Sequence, residues 1–295
     1  MKKYFIIIPI LVLVYFLSGK DNSSIKTENK RIETDNLIVN MTNYGMENIL
    51  LSEYLNGVVA CEMPALFHDE AIKAGIVAAR TFYLYKYESD KDYKPSNGDQ
   101  CYFSESKRKE NWKDNYELYN EKILNNINLT KNEVITYDGN LIKAFYFSMS
   151  NGYTEDAVNV FKKSEPYLVS VISVFDKDVK NNLSNKSISV NEFKEKLNVD
   201  NDIVINNIVR DSSNRVSEIV INNVNYDGVY FRKLFDLRST DFELEFNDQE
   251  VIITTRGYGH GVGMSQWGAN EMAKMGYEYR DILKYYYKDV EIMYK

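Results

Sequence analysis

The spacing of apolar positions along the chain changes several times, and each change marks an element. The first run is unbroken: Tyr4 to Ser18 carries no charge and follows Lys2 and Lys3. An apolar run of about 15 residues behind two lysines fits an uncleaved N-terminal membrane anchor over residues 1–19, with the rest of the chain outside the cytoplasm. Residues 20–35 are polar and aperiodic and are read as a linker. The remainder, 36–295, is read as one domain. Leu37 to Met41 suits a strand. Leu51, Tyr54, Leu55, Val58 and Val59 recur at helical spacing and predict a helix over 50–61, ended at Glu62-Met63-Pro64 because a residue before proline avoids the helical region. A second helix is predicted over 70–87, capped by Asp69, with Ala71, Ala74, Gly75 and Ala78 forming a narrow face. A polar loop covers 88–104, and a charged helix is predicted over about 107–127. Hairpins are predicted at 134–148, 203–224 and 242–255, and a short helix at 190–197 capped by Ser189. Alternating glycines at 257–263 precede two helical patches, 266–275 and 280–287. Helices early and late with antiparallel strands between them give an α+β class.

Composition narrows this picture. The 295 residues are 44% hydrophobic and 27% charged, enough for a sizeable core. The net charge of −7 shows no clustered basic field, so no nucleic-acid partner is expected. The 24 tyrosines combine a flat apolar face with a hydroxyl, which suits sugar binding and equally an aromatic core. Cys61 and Cys101 are read as free thiols, with one disulfide as the alternative.

Three segments carry candidate chemistry. In VVACEMPALFHDE (58–70), Glu62 sits among apolar residues at a helix C-terminus. Desolvation and the negative helix end both disfavour its ionised form, so its pKa is expected to be raised, as a general acid requires. A solvated helix-end carboxylate would share the pattern. In FYFSMSNGYTE (145–155), Ser148 and Ser150 stand two apart and would face one side of a strand before the turn at Asn151-Gly152. In TTRGYGHGVGMSQWGANEMA (254–273), Gly257, Gly259, Gly261 and Gly263 would leave a bare face for a ligand or another backbone, with Tyr258, His260 and Val262 opposite. Ser265 would cap the next helix, with Gln266 in its first turn. Neither a phosphate-binding loop nor compact metal-ligand spacing is present, so no metal and no cofactor is expected.

Together these segments resemble the stage II sporulation protein D family, which shares its domain with amidase enhancers. The matching runs are 53–81, 145–155, 231–244 and 257–287. The resemblance implies a peptidoglycan lytic transglycosylase that cleaves the β-1,4 bond between N-acetylmuramic acid and N-acetylglucosamine, preferring strands stripped of stem peptides, with Glu62 as its single catalytic acid. Arg80, Ser148, Ser150, Gly152, Tyr153, His260 and Gln266 are the expected substrate contacts. The implied setting is the septal or engulfing membrane of a sporulating mother cell. The implied partners are peptidoglycan glycan strands and the stage II sporulation proteins P (an amidase) and M (a membrane protein). Many relatives carry a Cys and His group in the loop after the second helix; here that loop has Cys101 alone, so no zinc is carried over. A non-catalytic glycan-binding amidase enhancer is the main alternative. A cysteine peptidase using Cys61 and His260 is a remote one, because nothing in the sequence suggests a thiolate-stabilising field.

Overall fold

The computed structural model describes residues 33–295. The expected anchor over 1–19 and most of the expected linker lie outside them. Among the described residues no helix is long and apolar enough to cross a membrane. The linker ends earlier than expected: Thr34–Asn36 forms a 3₁₀ turn with Asp35 buried.

The fold is α+β. Its helices are α1 (Leu51–Glu62), α2 (Asp69–Ser89), α3 (Glu105–Trp112), α4 (Tyr116–Leu129), α5 (Ala157–Phe161), α6 (Val190–Leu197), α7 (Gly228–Leu234), α8 (Gln266–Lys274) and α9 (Tyr279–Tyr286). Helix α2 is the central element. Its residues Ala74 to Leu84 are buried without interruption, and it packs against α1, α4, α8, α9 and the strand Glu133–Tyr137. Burial on all sides explains why its sequence shows so little helical stripe. Gly75 matters here because a Cβ would sit 2.2 Å from Met63 Sδ, so Met63, the residue after α1, lies directly on the narrow face. The N-cap of α2 is His68, whose Nδ1 accepts from the Glu70 N–H, and not Asp69. The predicted single helix over 107–127 is two, α3 and α4, because the chain turns at Lys113 with φ of +47°.

The strands form small sheets. Glu250–Arg256 lies between Phe242–Phe246 and Leu183–Ser189, and Val216–Ile221 lies between Ile205–Arg210 and Val224–Asp227, all antiparallel. These two sheets with α6 and α7 enclose a second apolar core around Phe193, Phe231, Phe235 and Phe242. The main core holds α1, α2, α8 and α9. The predicted hairpin over 134–148 is cut short. Glu133–Tyr137 pairs with Asn140–Leu141, and Tyr146–Phe147 instead pairs in parallel with Met264–Ser265.

The glycine run passes along the same segment, bridged to it antiparallel at Met149 and Tyr258. Gly257, Gly259 and Gly263 have φ of +78°, +112° and +80°, and a Cβ on each would come within 2.8, 2.8 and 2.0 Å of Met149 O, Phe147 Cβ and Phe145 O. Of the two roles foreseen for the bare face, close approach by another backbone is the one observed. The partner is the 145–149 segment.

Candidate active site

Glu62 is the last residue of α1, and Met63 leaves the helix with an extended backbone. The turn directs the carboxylate toward a cavity of about 290 Å³ lined by Phe82, Gly98, Asp99, Gln100, Ala144, Phe145, Tyr146, Phe161 and His260. On its other side Glu62 shares a small apolar pocket with Val58, Val59, Met63, Ala79 and Met264. Burial raises the pKa of the carboxyl, opposed by the Cys101 N–H, which donates to Oε1 at 2.7 Å, and by Gln266 Nε2, which donates to Oε2 at 3.3 Å. Each oxygen therefore keeps a lone pair uncommitted. Such an acid holds its proton above the usual glutamate range and has room to deliver it.

The cavity wall is aromatic. Phe145 stacks on Phe161 with centroids 4.7 Å apart, and His260 meets Phe145, Phe147 and Phe161 at 5.5–6.0 Å. His260 keeps a partly exposed edge, but burial of the ring, with Arg232 and Arg215 nearby, pushes its pKa down to about 4. Its Nδ1 accepts the Val262 N–H at 3.0 Å. His260 is thus a neutral wall residue and not a proton carrier near neutral pH. Asp99 is the other carboxylate among the lining residues. Burial acts to raise its pKa, but the Ser96 hydroxyl at 2.8 Å and Lys86 at 3.1 Å outweigh burial and hold it ionised. Gln100 Nε2 donates to Tyr146 Oη at 2.9 Å and fixes that ring beside Glu62. A second cavity, about 320 Å³, continues the first past Phe82, Asp99, Phe145 and Phe161 and adds Tyr85, Lys86, Lys143 and Lys163.

Of the expected substrate contacts, Gln266 and His260 meet at Glu62 or its cavity. The others lie elsewhere. Arg80 is fully buried, making a bidentate ion pair with Asp35 at 2.6 and 2.9 Å and donating to the Glu133 carbonyl; it fastens the N-terminal turn and is closed to substrate. Ser150 is also fully buried, its N–H and hydroxyl bonded to Asp176 at 2.7 and 2.6 Å. The strand that was to carry both hydroxyls stops at Phe147, before either serine. Ser148 offers its carbonyl to the Trp267 N–H. Gly152 sits at φ +113° in a short pair with Ser173. Tyr153 is 41% exposed and lines neither cavity. Phe82, Asp99, Gln100, Phe145, Tyr146 and Phe161 were not singled out in the sequence. Phe145 and Tyr146 lay in a quoted motif, whereas nothing local distinguishes Gln100 from any polar loop residue.

A family model described as Stage II sporulation protein matches residues 41–137, the segment carrying Glu62 and Cys101. Stage II sporulation protein D of Bacillus amyloliquefaciens is 40% identical over 262 residues, 85% of this chain and 76% of that protein. Its counterpart in Bacillus subtilis (strain 168) is 35% identical over 314 residues, 97% of this chain and 92% of that protein. The chain belongs to the stage II sporulation protein D family. The amidase enhancer of Bacillus subtilis is 29% identical over 79% of this chain and 39% of that protein.

In this member of the stage II sporulation protein D family the two cysteines are not free thiols, contrary to expectation. Cys61 and Cys101 form a disulfide with Cα atoms 5.6 Å apart. That removes the nucleophile of the cysteine-peptidase alternative. It also removes the one thiolate that the loop could offer a zinc ion, so the residues present do not fit the Cys and His group of relatives. Among the described residues no three His, Cys, Asp or Glu side chains cluster as metal ligands.

Proposed function

We propose that the chain is a lytic transglycosylase of peptidoglycan glycan strands, with Glu62 as its general acid and then its base. The observation that carries this reading is the half-buried Glu62 carboxyl, with its raised pKa, facing an open cavity with spare acceptor capacity. A hydrolase needs a second carboxylate as nucleophile or to activate water. Asp99 is engaged by Ser96 and Lys86, which favours chemistry with one free acid. Glu62 gives its proton to the glycosidic oxygen as the C1–O bond breaks. The resulting carboxylate then takes the proton of the sugar's own C6 hydroxyl as that oxygen closes on C1. The products are a 1,6-anhydro end and a new free hydroxyl on the leaving sugar, and Glu62 returns to its protonated state.

The groove suits this substrate. Phe145 and Phe161 offer apolar faces to sugar rings. Lys86, Lys143 and Lys163, partnered by only Asp99 and Glu165, leave one surplus cation for the lactyl carboxylates that amidase action exposes on muramic acid. In this reading the protein is held by residues 1–19 at the extracytoplasmic face of the engulfing septal membrane. It works there on strands denuded by the stage II sporulation protein P, with protein M as a membrane partner. The name of the amidase enhancer relative supports a second reading, a glycan-binding module that assists an amidase without cutting. Mass analysis of products from purified denuded strands tests both. A 1,6-anhydro end is expected; a reducing end would mean hydrolysis, and unaltered strands that remain bound would favour the binding module.

A further inference from the structure

The Cys61–Cys101 disulfide joins the last turn of α1 to the loop that follows α2, across 40 residues of sequence. Both of its ends touch the acid. Cys61 is the residue before Glu62, and the Cys101 N–H is the donor to Glu62 Oε1. One covalent link therefore brackets one hydrogen bond. The same loop supplies Asp99 and Gln100 to the cavity wall. Residues 90–104 have no regular secondary structure. The neighbours of Cys101 are tied independently: Asp99 to Ser96 and Lys86, Gln100 to Tyr146 and the Ala79 carbonyl, the Phe103 N–H to the Gly57 carbonyl at 3.0 Å, and the Tyr102 ring stacked on Tyr54 over Gly57. None of the ties just named is made by Cys101 itself, so the cross-link is what removes the freedom of that residue's amide relative to the acid.

We propose that the Cys61–Cys101 disulfide is a positioning element for Glu62, holding the Cys101 amide against the carboxylate, so that full activity requires the oxidised protein. The proposal rests on the reading of Glu62 as the acid. An amide aimed at a carboxylate makes a charge-assisted bond that fixes the orientation of the group and favours its ionised form. Reduction by a dithiol transfers two electrons and two protons to the cystine, giving two thiols here and one disulfide on the reductant. The backbone amide survives reduction but loses its tether. The titratable groups facing Glu62 from other elements are Tyr44, Asp99, Tyr146 and His260, and reduction changes the charge of none of them.

The test uses the full chain and the variant C61A/C101A, which breaks the link without adding thiols that would titrate. Wild-type protein purified under oxidising conditions should take up no thiol-alkylating label, and two labels after dithiothreitol. In the variant, kcat on denuded strands should fall roughly tenfold while KM stays within about twofold. The alkaline limb of kcat, and the carboxyl titration of Glu62 followed by 13C NMR, should both move up by roughly one pH unit, because the ionised form has lost its donor. Free thiols in the oxidised wild type would overturn the proposal. So would a fall in kcat that merely tracks the folded fraction, with the limb and the titration unmoved. A shifted Glu62 titration in a protein that cleaves no glycan would support the positioning and overturn the transglycosylase reading instead.

Discussion

Glu62 and Asp176 are both carboxylates drawn out of water, and burial raises the pKa of each against opposing hydrogen bonds. Their surroundings differ in one respect. Asp176 is fully buried and holds three short donors, with no cavity before it: the Ser150 N–H and the hydroxyls of Ser150 and Ser265 reach it at 2.6–2.7 Å. Ser265 in turn caps α8 by accepting the Gly268 N–H, so Asp176 ties the 148–150 segment to the start of that helix. Glu62 has one strong donor and one weak one, and a cavity in front of it. A displaced pKa marks both groups as unusual, but only unspent acceptor capacity beside open space marks one of them as chemical.

Four substitutions probe that contrast. Glu62→Gln keeps the shape and removes the proton; glycan cleavage should fall by about 10³-fold or more, equivalent to about 4 kcal/mol on the barrier, with the melting temperature unchanged or raised. Loss of folding instead would make Glu62 a second Asp176. Asp176→Ala should do the reverse: it removes the acceptor of a buried amide and a shared acceptor of two buried hydroxyls, costing about 2–4 kcal/mol of stability, while the activity per folded molecule in denaturant-calibrated assays stays near wild type. His260→Asn addresses the wall. The unfolded histidine titrates near 6.5 and the folded one near 4, so between those values the unfolded chain binds a proton that the folded chain refuses. Stability contributed by the neutral ring is therefore present above pH 6.5 and lost as pH falls toward 4, by up to about 3 kcal/mol. Urea titrations at pH 7 and pH 4.5 should show a smaller acid loss in the variant. Tyr153→Ala, at an exposed position remote from both cavities, should change stability and cleavage by no more than about 0.5 kcal/mol; a larger loss of cleavage would extend the site toward Tyr153.

The same contrast explains what the sequence could and could not show. Helix α1, the break at Met63-Pro64 and the raised pKa of Glu62 follow from spacing and composition that are local, and the structure has them as expected. The cap at Ser189 and the hairpin through Asn247 are local as well. The roles of Arg80 and Ser150 were not legible, because a buried ion pair with Asp35 and a buried bond to Asp176 depend on partners 45 and 26 residues away. Quoted alone, a polar residue within an apolar motif looks equally like a ligand contact and like internal joinery. The glycine run posed the same ambiguity, which its antiparallel passage along residues 145–149, bridged at Met149 and Tyr258, resolved in favour of packing. The disulfide was open for the same reason: Cα proximity across 40 residues is a tertiary fact.

In the proposed mechanism Glu62 alone performs the acid and base steps. The direct measurement is the mass of the glycan ends released from purified denuded strands by wild-type protein and by Glu62→Gln at equal folded concentration. The wild type should release 1,6-anhydro ends and the variant should leave the strands intact. Anhydro ends released at the same rate by the variant would contradict that mechanism.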